Sequence, residues 1–489
     1  MRAKPLPPCA PTLIESIRAI GYTLETAIAD LIDNSITALA SNVDIFFYPI
    51  GEAYIAILDN GCGMDAVEID NAMRYGSQNP NEKRAPNDLG RFGLGLKTAS
   101  LSQCRSLTVV TKQGENIEAR RWDIDHVIEK DDWSLLVFDS EEEFNAIPCI
   151  NELRKFESGT LVVWENLDRI QIGEINFNRS MARKMDDVRV HLSLVFHRYI
   201  AGEFGLKRIV ISMNNIAIEP ADPFLIRRNT KIMSDEVLNI EGSNVIVNSY
   251  ILPHISNLSA NEISALGGKE GLRKQQGFYV YRNKRLLIWG TWFRMIPQAE
   301  LSKLARVQVD IPNELDTLWT LDIKKSTALP PEEVRNNLGT IIERLAKRSE
   351  YTSVYRGKKE MVDSIVHVWQ RCKGRSGGSY YSINRDHPVV EILYETIPSA
   401  NRNIESLLKL VESSLPLSNL YLDLNSDKPV ENDTETTTVE IELLLQSMLD
   451  NMPTDNAKSE LLERLSFSEP FVNYPCLLKK YKIGGSIDG

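Results

Sequence analysis

Apolar residues recur at helical spacing from Thr12 to Ala40, with an interruption at Gly21. The second part, Leu24 to Leu39, sets Ile28, Leu31, Ile32 and Ser35 on one side and predicts an amphipathic helix. The period then drops to two, which predicts strands at Val43 to Tyr48 and Ala53 to Leu58, the second ending at Asn60-Gly61. Gly76 to Arg91 is polar and rich in Asn, Pro, Gly and Lys, the composition of a long mobile loop, and loops of that length usually carry function. Gly90 to Gly95 opens a helix through Ser102, and strands are predicted at Ser106 to Thr111, Glu118 to Ile124, Ser134 to Asp139 and Leu161 to Glu165. Arg183 to Ile200 reads as a helix. A second block, from Leu206, carries strand patterns at Lys207 to Met213, Gly277 to Tyr281 and Arg306 to Asp310, and helical ones at Ser259 to Leu266 and Pro331 to Arg348. From Ser349 the pattern is mostly helical. Within it Lys373 to Ser379 has loop composition, Asn425 to Thr438 is an acidic, Thr-rich linker, and Val439 to Leu449 and Lys458 to Leu465 are short amphipathic helices. No repeat is visible. These shifts divide the chain at 1–200, 201–348 and 349–489 and predict an α+β fold with a helical C-terminal region.

A chain of 489 residues holds roughly three domains. Lys plus Arg is 56 against 67 for Asp plus Glu, a net charge of −11, which argues against a constitutively basic nucleic-acid coat and leaves room for a local basic patch. No run of about 18 uncharged apolar residues exists, so no membrane span is expected. Met1 to Pro11 is proline-rich without an apolar signal core. The six cysteines are scattered with no Cys-x-x-Cys pair, the usage of reduced thiols in a cytoplasmic protein. His-Glu-x-x-His and Gly-x-Ser-x-Gly are absent, and His191 and His197, six apart on a predicted helix, fit structural roles better than metal ligation.

Four short segments carry candidate chemistry. In Glu25 to Ile36, Asp30 and Asn34 lie one helical turn apart and share a face, where a carboxylate beside an amide oxygen suits a water and a hydrated Mg²⁺. A solvated polar face gives the same pattern. Asp59-Asn-Gly61-Cys-Gly63-Met64 fits a hairpin turn. It also fits a site for a flat base: Asp59 would accept from an exocyclic amine, the glycines would admit the base, and Met64 would wall it. Gly90 to Ser100 is a Gly-rich helix start of the kind that binds anions, yet Leu96 between Gly95 and Lys97-Thr98 breaks the P-loop pattern and no third glycine completes a dinucleotide fingerprint. Ser158-Gly159-Thr160 before an apolar strand is, alone, an ordinary turn.

Their order and spacing make the set specific. Together they resemble the GHKL superfamily: DNA gyrase, the heat-shock-ninety chaperones, histidine kinases and MutL. The resemblance implies a Bergerat-type α/β sandwich that binds ATP with Mg²⁺. It makes Asp30 the general base, Asn34 the Mg²⁺ ligand, and Asp59, Gly61, Gly63, Met64 and Thr160 the adenine site. It makes Gly90, Arg91, Phe92, Gly93, Leu94, Gly95, Lys97 and Thr98 the lid and phosphate-binding helix start. His191 to Tyr199, Ile211 to Asn215, Pro220 to Phe224 and Gly277 to Leu286 look like the junction into an α/β transducer domain, a combination most similar to the MORC ATPases and their prokaryotic relatives. Lys324 and Lys325 sit where such proteins carry a lysine that reaches the γ-phosphate, with Lys325 favoured as the catalytic one. The resemblance covers about residues 10 to 345. No histidine-bearing dimerisation helix precedes the ATP segment, which argues against a sensor kinase.

Those relatives carry Glu where this chain has Asp30. A misplacement of about 1 Å costs on the order of 10²-fold in rate, so the expectation is either slow hydrolysis, suited to a switch, or a base that acts through a second water. Glu25, about 140° around the helix, is a poor substitute. Between Lys269 and Arg306 lie nine Lys or Arg opposed by Glu270 and Glu300. A solvated face and phosphate contacts account for that stretch, and so does a DNA-contacting groove. The implied protein is an ATP-gated, homodimerising clamp that engages DNA or a partner nuclease or effector in antiviral genome defence or DNA repair. The alternative is a chaperone-like scaffold whose protein contacts switch with ATP.

Overall fold

Alternation along one strand shows how the main sheet is built: Ile55 and Ile57 join one core, while Ala56 and Leu58 join another on the opposite face. The computed structural model describes residues 8–19, 21–76, 95–228, 230, 235–253, 257–298, 302–315, 319, 330–332, 334–342, 365–373, 379–396, 400–417 and 434–481. They fall into two compact units, Met1–Arg356 and Gly357–Gly489.

The first unit opens with α1 (Ala10–Arg18), α2 (Leu24–Thr37), β1 (Asn42–Tyr48), β2 (Tyr54–Asp59), α3 (Ala66–Met73) and α4 (Gly95–Leu101). It continues with β3 (Ser106–Gln113), β4 (Asn116–Asp123), α5 (Ile124–Lys130), β5 (Leu136–Val137), α6 (Glu141–Asn145), α7 (Ile150–Arg154) and β6 (Ser158–Glu165). Then come α8 (Asp168–Gln171), α9 (Phe177–Val195), α10 (His197–Ala201), β7 (Val210–Met213) and β8 (Ile216–Ala217). These strands form one sheet in the order β5-β4-β3-β6-β2-β1-β7-β8, antiparallel except where β7 runs parallel to β1. Helices α1, α2 and α9 pack on one face around Ile14, Ile28, Ile32, Trp164 and Val188, and α7 covers the other beside Leu58, Leu153 and Leu161. Local signals place the ends of the helices: the Thr23 hydroxyl accepts from Thr26 N–H at the start of α2, and Asp65 and Glu68 form a reciprocal capping box on α3.

A second sheet follows, from β9 (Glu236–Ile240), β10 (Ser243–Ile251), α11 (Ala260–Ala265), α12 (Gly268–Lys274), β11 (Gly277–Arg282), β12 (Arg285–Thr291) and β13 (Ala305–Ile311). Its order is β12-β11-β13-β10-β9, with β11 parallel to β13. Helical residues 334–342 bury Val334, Leu338, Ile341 and Ile342 against it. The two sheets meet at an aromatic seam where Phe224 stacks on Tyr250 at 4.5 Å and His197 Nε2 lies 2.7 Å from the Tyr281 hydroxyl. Arg198 crosses that seam, paired with Asp310 at 2.5 Å and lying 4.8 Å over the Tyr281 ring. The second unit pairs β14 (Trp369–Lys373) with β15 (Ser379–Ile383). Its helices are α13 (Pro388–Thr396), α14 (Asn401–Ser413), α15 (Thr434–Asp450), α16 (Asp455–Leu465) and α17 (Pro475–Lys480), and Leu445, Leu462, Leu465 and Phe471 lie in its core.

The α+β architecture and its large mixed sheet agree with the sequence reading, and several elements differ in detail. The helix expected over Arg183 to Ile200 is two, because Phe196 leaves helical geometry. The strand expected at Ser134 to Asp139 shrinks to Leu136–Val137. Strands β8, β9, β10 and β12 and the β14–β15 pair had no counterpart in the pattern analysis. Helix α15 begins at Thr434, inside the tract expected to be a linker, and residues 425–433 lie outside the described residues. None of the six cysteines is disulfide-bonded, and among the described residues no helix is long and apolar enough to cross a membrane.

Burial at the seam makes acid a destabiliser. His191 is pushed down to about 4 by burial and the nearby Arg285 cation, and His197 to about 3 by burial and Arg198. An unfolded imidazole titrates near 6.5. Between that value and about 4 the unfolded chain therefore binds protons that the folded one refuses, and stability falls as pH falls. Urea unfolding between pH 7.5 and 4.5 is expected to lose up to about 1.4 kcal/mol per pH unit per histidine below pH 6.5, and His191→Gln to reduce that slope by about one proton.

Candidate functional site

Helix α2 is almost wholly internal and carries polar side chains where a buried helix ordinarily has none. Asp30, Asp33 and Ser35 are all buried, and each meets a different element. The Tyr22 hydroxyl donates to Asp30 Oδ2 at 2.9 Å. Ser35 Oγ donates to Asp59 Oδ2 at 2.8 Å, and Arg285 Nε donates to Asp33 Oδ1 at 3.2 Å. Asn34, one turn beyond Asp30, is exposed. Thus Asp30 and Asn34 lie one helical turn apart, the first buried and the second exposed.

Asp59 ends β2, and its carboxyl is the pivot of the adjoining turn. Gly61 N–H donates to Oδ1 at 2.9 Å, and the backbone of Thr160, its register partner on β6, adds a further hydrogen bond. Burial pushes this carboxyl above its ordinary value while the Gly61, Ser35 and Thr160 donors pull it back. The turn leaves no space for side chains. A Cβ on Gly159 would stand 2.2 Å from the Asp59 carbonyl oxygen. One on Gly63, whose φ is +68°, would stand 2.2 Å from the Lys112 carbonyl oxygen. Ser158 Oγ donates to the Gly61 carbonyl at 2.7 Å, and Met64 N–H donates to Thr111 Oγ1 at 2.7 Å. The half-buried Met64 side chain packs against the main core. Asp59, Gly61, Gly63, Met64 and Thr160, about a hundred residues apart in sequence at their extremes, therefore form one cradle with Ser35 and Thr111.

On the side expected to take phosphates, Gly95 heads α4, where a Cβ would lie 3.6 Å from Asp30 Oδ2. Lys97 is buried: its Nζ donates to the Ala72 carbonyl at 2.7 Å and lies 5.8 Å over the Tyr75 ring, and burial pushes its amine down to about 8. Thr98 is buried beside it in the chain. Gly90, Arg91, Phe92, Gly93, Leu94, Lys324 and Lys325, with most of the Gly76 to Arg91 loop, lie outside the described residues. No cluster of three or more His, Cys, Asp or Glu suited to a metal ion occurs among the described residues.

The basic stretch from Lys269 to Arg306 does not form one solvent face. Strands β11, β12 and β13 are covered on both sides, so Arg282, Arg285 and Arg306 are buried, and Tyr279, Tyr281 and Trp292 are core. Lys284 is half-exposed and lies 3.7 Å from Asp310. Arg273, Lys274 and Arg294 are the fully exposed cations of the stretch among the described side chains. This corrects the expectation of a DNA groove lined by the whole run.

Sequence reasoning missed Tyr22, Ser35, Thr111 and Arg285 as site residues. Ser35 was visible as a polar residue on an apolar helix side. Nothing marked Tyr22 or Thr111, and Arg285 stood out as a cation of the Lys269 to Arg306 stretch. Arg285 stacks 5.6 Å from the Phe196 ring and neutralises Asp33 in the interior. Arg285→Met is therefore expected to destabilise the fold by about 3–5 kcal/mol in urea unfolding, and the double variant Asp33→Asn/Arg285→Met to recover much of that loss.

A family profile described as "Histidine kinase-, DNA gyrase B-, and HSP90-like ATPase" matches residues 22–160, the span from Tyr22 to the Thr160 register position. The ATPase MORC2B of Mus musculus is 34% identical over 93 residues, 18% of this chain and 9% of that protein. The ATPase morc-1 of Caenorhabditis elegans is 34% identical over 95 residues, 19% of this chain and 11% of its own length. The DNA mismatch repair protein MutL of Paramagnetospirillum magneticum is 32% identical over 105 residues, 21% of this chain and 17% of that protein. The chain thus spans under a fifth of each of these relatives. Residues 22–160 of this chain are thus similar to the histidine kinase-, DNA gyrase B- and HSP90-like ATPases, and the cradle around Asp59 lies within that span.

Proposed function

We propose that this chain is an ATP-dependent, homodimerising switch that binds and slowly hydrolyses ATP to control its engagement of DNA or of a partner effector, in genome defence or repair. Residues 1–200 bind nucleotide, 201–348 transduce its state, and 349–489 contact partners. The observation that carries the reading is the buried Asp59 carboxyl at a strand end, held by Gly61, Ser35 and Thr160 in a turn too tight for side chains. An adenine edge satisfies such a group: its exocyclic amine donates to Asp59 while Met64 lies along the ring.

The residues fit ATP with Mg²⁺. The exposed Asn34 would hold the ion, which supplies charge neutralisation to the phosphate oxygens. Asp30, buried behind it, accepts a proton from the attacking water as the bond from the γ-phosphorus to ADP breaks. The N-terminus of α4, against Asp30, offers backbone donors to the phosphates. Lys97 is committed to the Ala72 carbonyl in this conformation, and Lys324 or Lys325 would report the γ-phosphate to the second sheet. The protein-scaffold reading draws on one observation, the apolar face of α14, where Leu407, Leu410 and Val411 are exposed.

Asp59→Asn is expected to weaken ATP binding at least about tenfold, because the amide reverses half of the acceptor pattern, measured by calorimetric titration with Mg-ATP. Asp30→Asn should leave that affinity within a few-fold and lower phosphate release about 10²–10⁴-fold. Unchanged release in Asp30→Asn removes it as the base. For the DNA arm, Arg273→Glu/Lys274→Glu/Arg294→Glu is expected to weaken duplex binding at low salt with ATP binding intact. Unchanged DNA binding leaves the partner-protein reading.

A further inference from the structure

Asp30 is one methylene shorter than the Glu of the resembling families, so its carboxylate reaches less far and needs a fixed orientation to serve a water. The structure holds a group that fixes it. Tyr22 lies in the turn between α1 and α2, just after Gly21, whose φ of +71° turns the chain there. Its ring is buried, its carbonyl accepts from Gln103 Nε2 at 3.2 Å, and its hydroxyl donates to Asp30 Oδ2 at 2.9 Å. Tyr22 is thus held from both ends, by the segment after α4 and by the helix that carries the base. The Gly95 backbone, at the head of α4, lies near the same oxygen, and a Cβ there would stand 3.6 Å away.

We propose that Tyr22 is the positioning residue for Asp30: it anchors Oδ2 so that the carboxylate stands in one rotamer toward the attacking water. This rests on the reading of Asp30 as the general base. A carboxylate on a short side chain swings about one torsion beyond Cβ, and a single donor at 2.9 Å is enough to stop that swing. Tyr22 keeps its proton throughout. The water proton goes to Asp30, the water oxygen bonds to the γ-phosphorus, and ADP leaves with the electrons of the broken bond. The neighbouring charged groups among the described residues have contacts of their own. Asp33 pairs with Arg285 and Lys97 donates to Ala72, while His191 on α9 is held neutral by burial and Glu25 sits half-buried on α2.

The experiment uses the full chain and compares Tyr22→Phe, Asp30→Asn and the double variant in Mg-ATP binding and single-turnover phosphate release. Tyr22→Phe removes one oxygen and keeps the ring, and its thermal midpoint checks the fold. The expected result is a kcat about ten- to a hundredfold lower with KM and ATP affinity within about twofold. The double variant should then be no slower than Asp30→Asn, since a residue acting through Asp30 has nothing left to orient. Three outcomes overturn the proposal: normal kcat in Tyr22→Phe, a matching loss of ATP affinity, or an equal slowing in the Asp30→Asn background. The reading beneath it fails separately, when Asp30→Asn itself releases phosphate at the normal rate.

Discussion

Burying carboxylates on a helix is costly unless each meets a donor or a cation, and the first unit is arranged around that constraint at α2. Asp30 is met from the preceding turn by Tyr22, Asp33 from the second sheet by Arg285, and Ser35 joins Asp59 at the end of β2. Three separate segments are thereby fixed against one helix. The apolar core under α2 holds the helix in place, and these polar links fix which of its residues points at which part of the site. The exposed Asn34 is the complement: it is the polar residue of this run that the fold leaves to solvent.

The same logic governs the turn after β2. Carbonyl oxygens of Asp59 and Lys112 stand where Cβ atoms would be at 159 and 63, so the backbone itself packs as a side chain would. At those two positions the cradle is walled by backbone, which has no rotamers to change. It is suited to a planar ligand admitted edge-on.

The described part of the candidate site was legible where chemistry leaves short local traces: a carboxylate and amide four apart, and glycines around a strand end. What was not legible depends on register. Thr111 matters because β3 lies beside Gly159 and Met64, and no local pattern marks which threonine of a strand will do so. Arg285 was misjudged for a related reason. Asn283 and Lys284 both have positive φ, the signature of a tight hairpin, yet Lys in place of the usual glycine hides it, and with it β12. Without β12 the cations around it looked like a surface run. Strand β11 was found at Gly277 to Tyr281 even though it is buried at every position and gives no period to read.

The link between Asp33 and Arg285 also bears on how the protein comes to exist. The two residues are 252 apart in the chain. During synthesis α2 emerges early and must wait, its internal carboxylate lacking that guanidinium, until β12 has left the ribosome. The first sheet on its own is therefore an unfinished object. A chain stopped between the two sheets retains every residue of the Asp59 cradle and still lacks the cation that lets its central helix lie inside the core. The packing of α2 is in this way tied to completion of the second sheet.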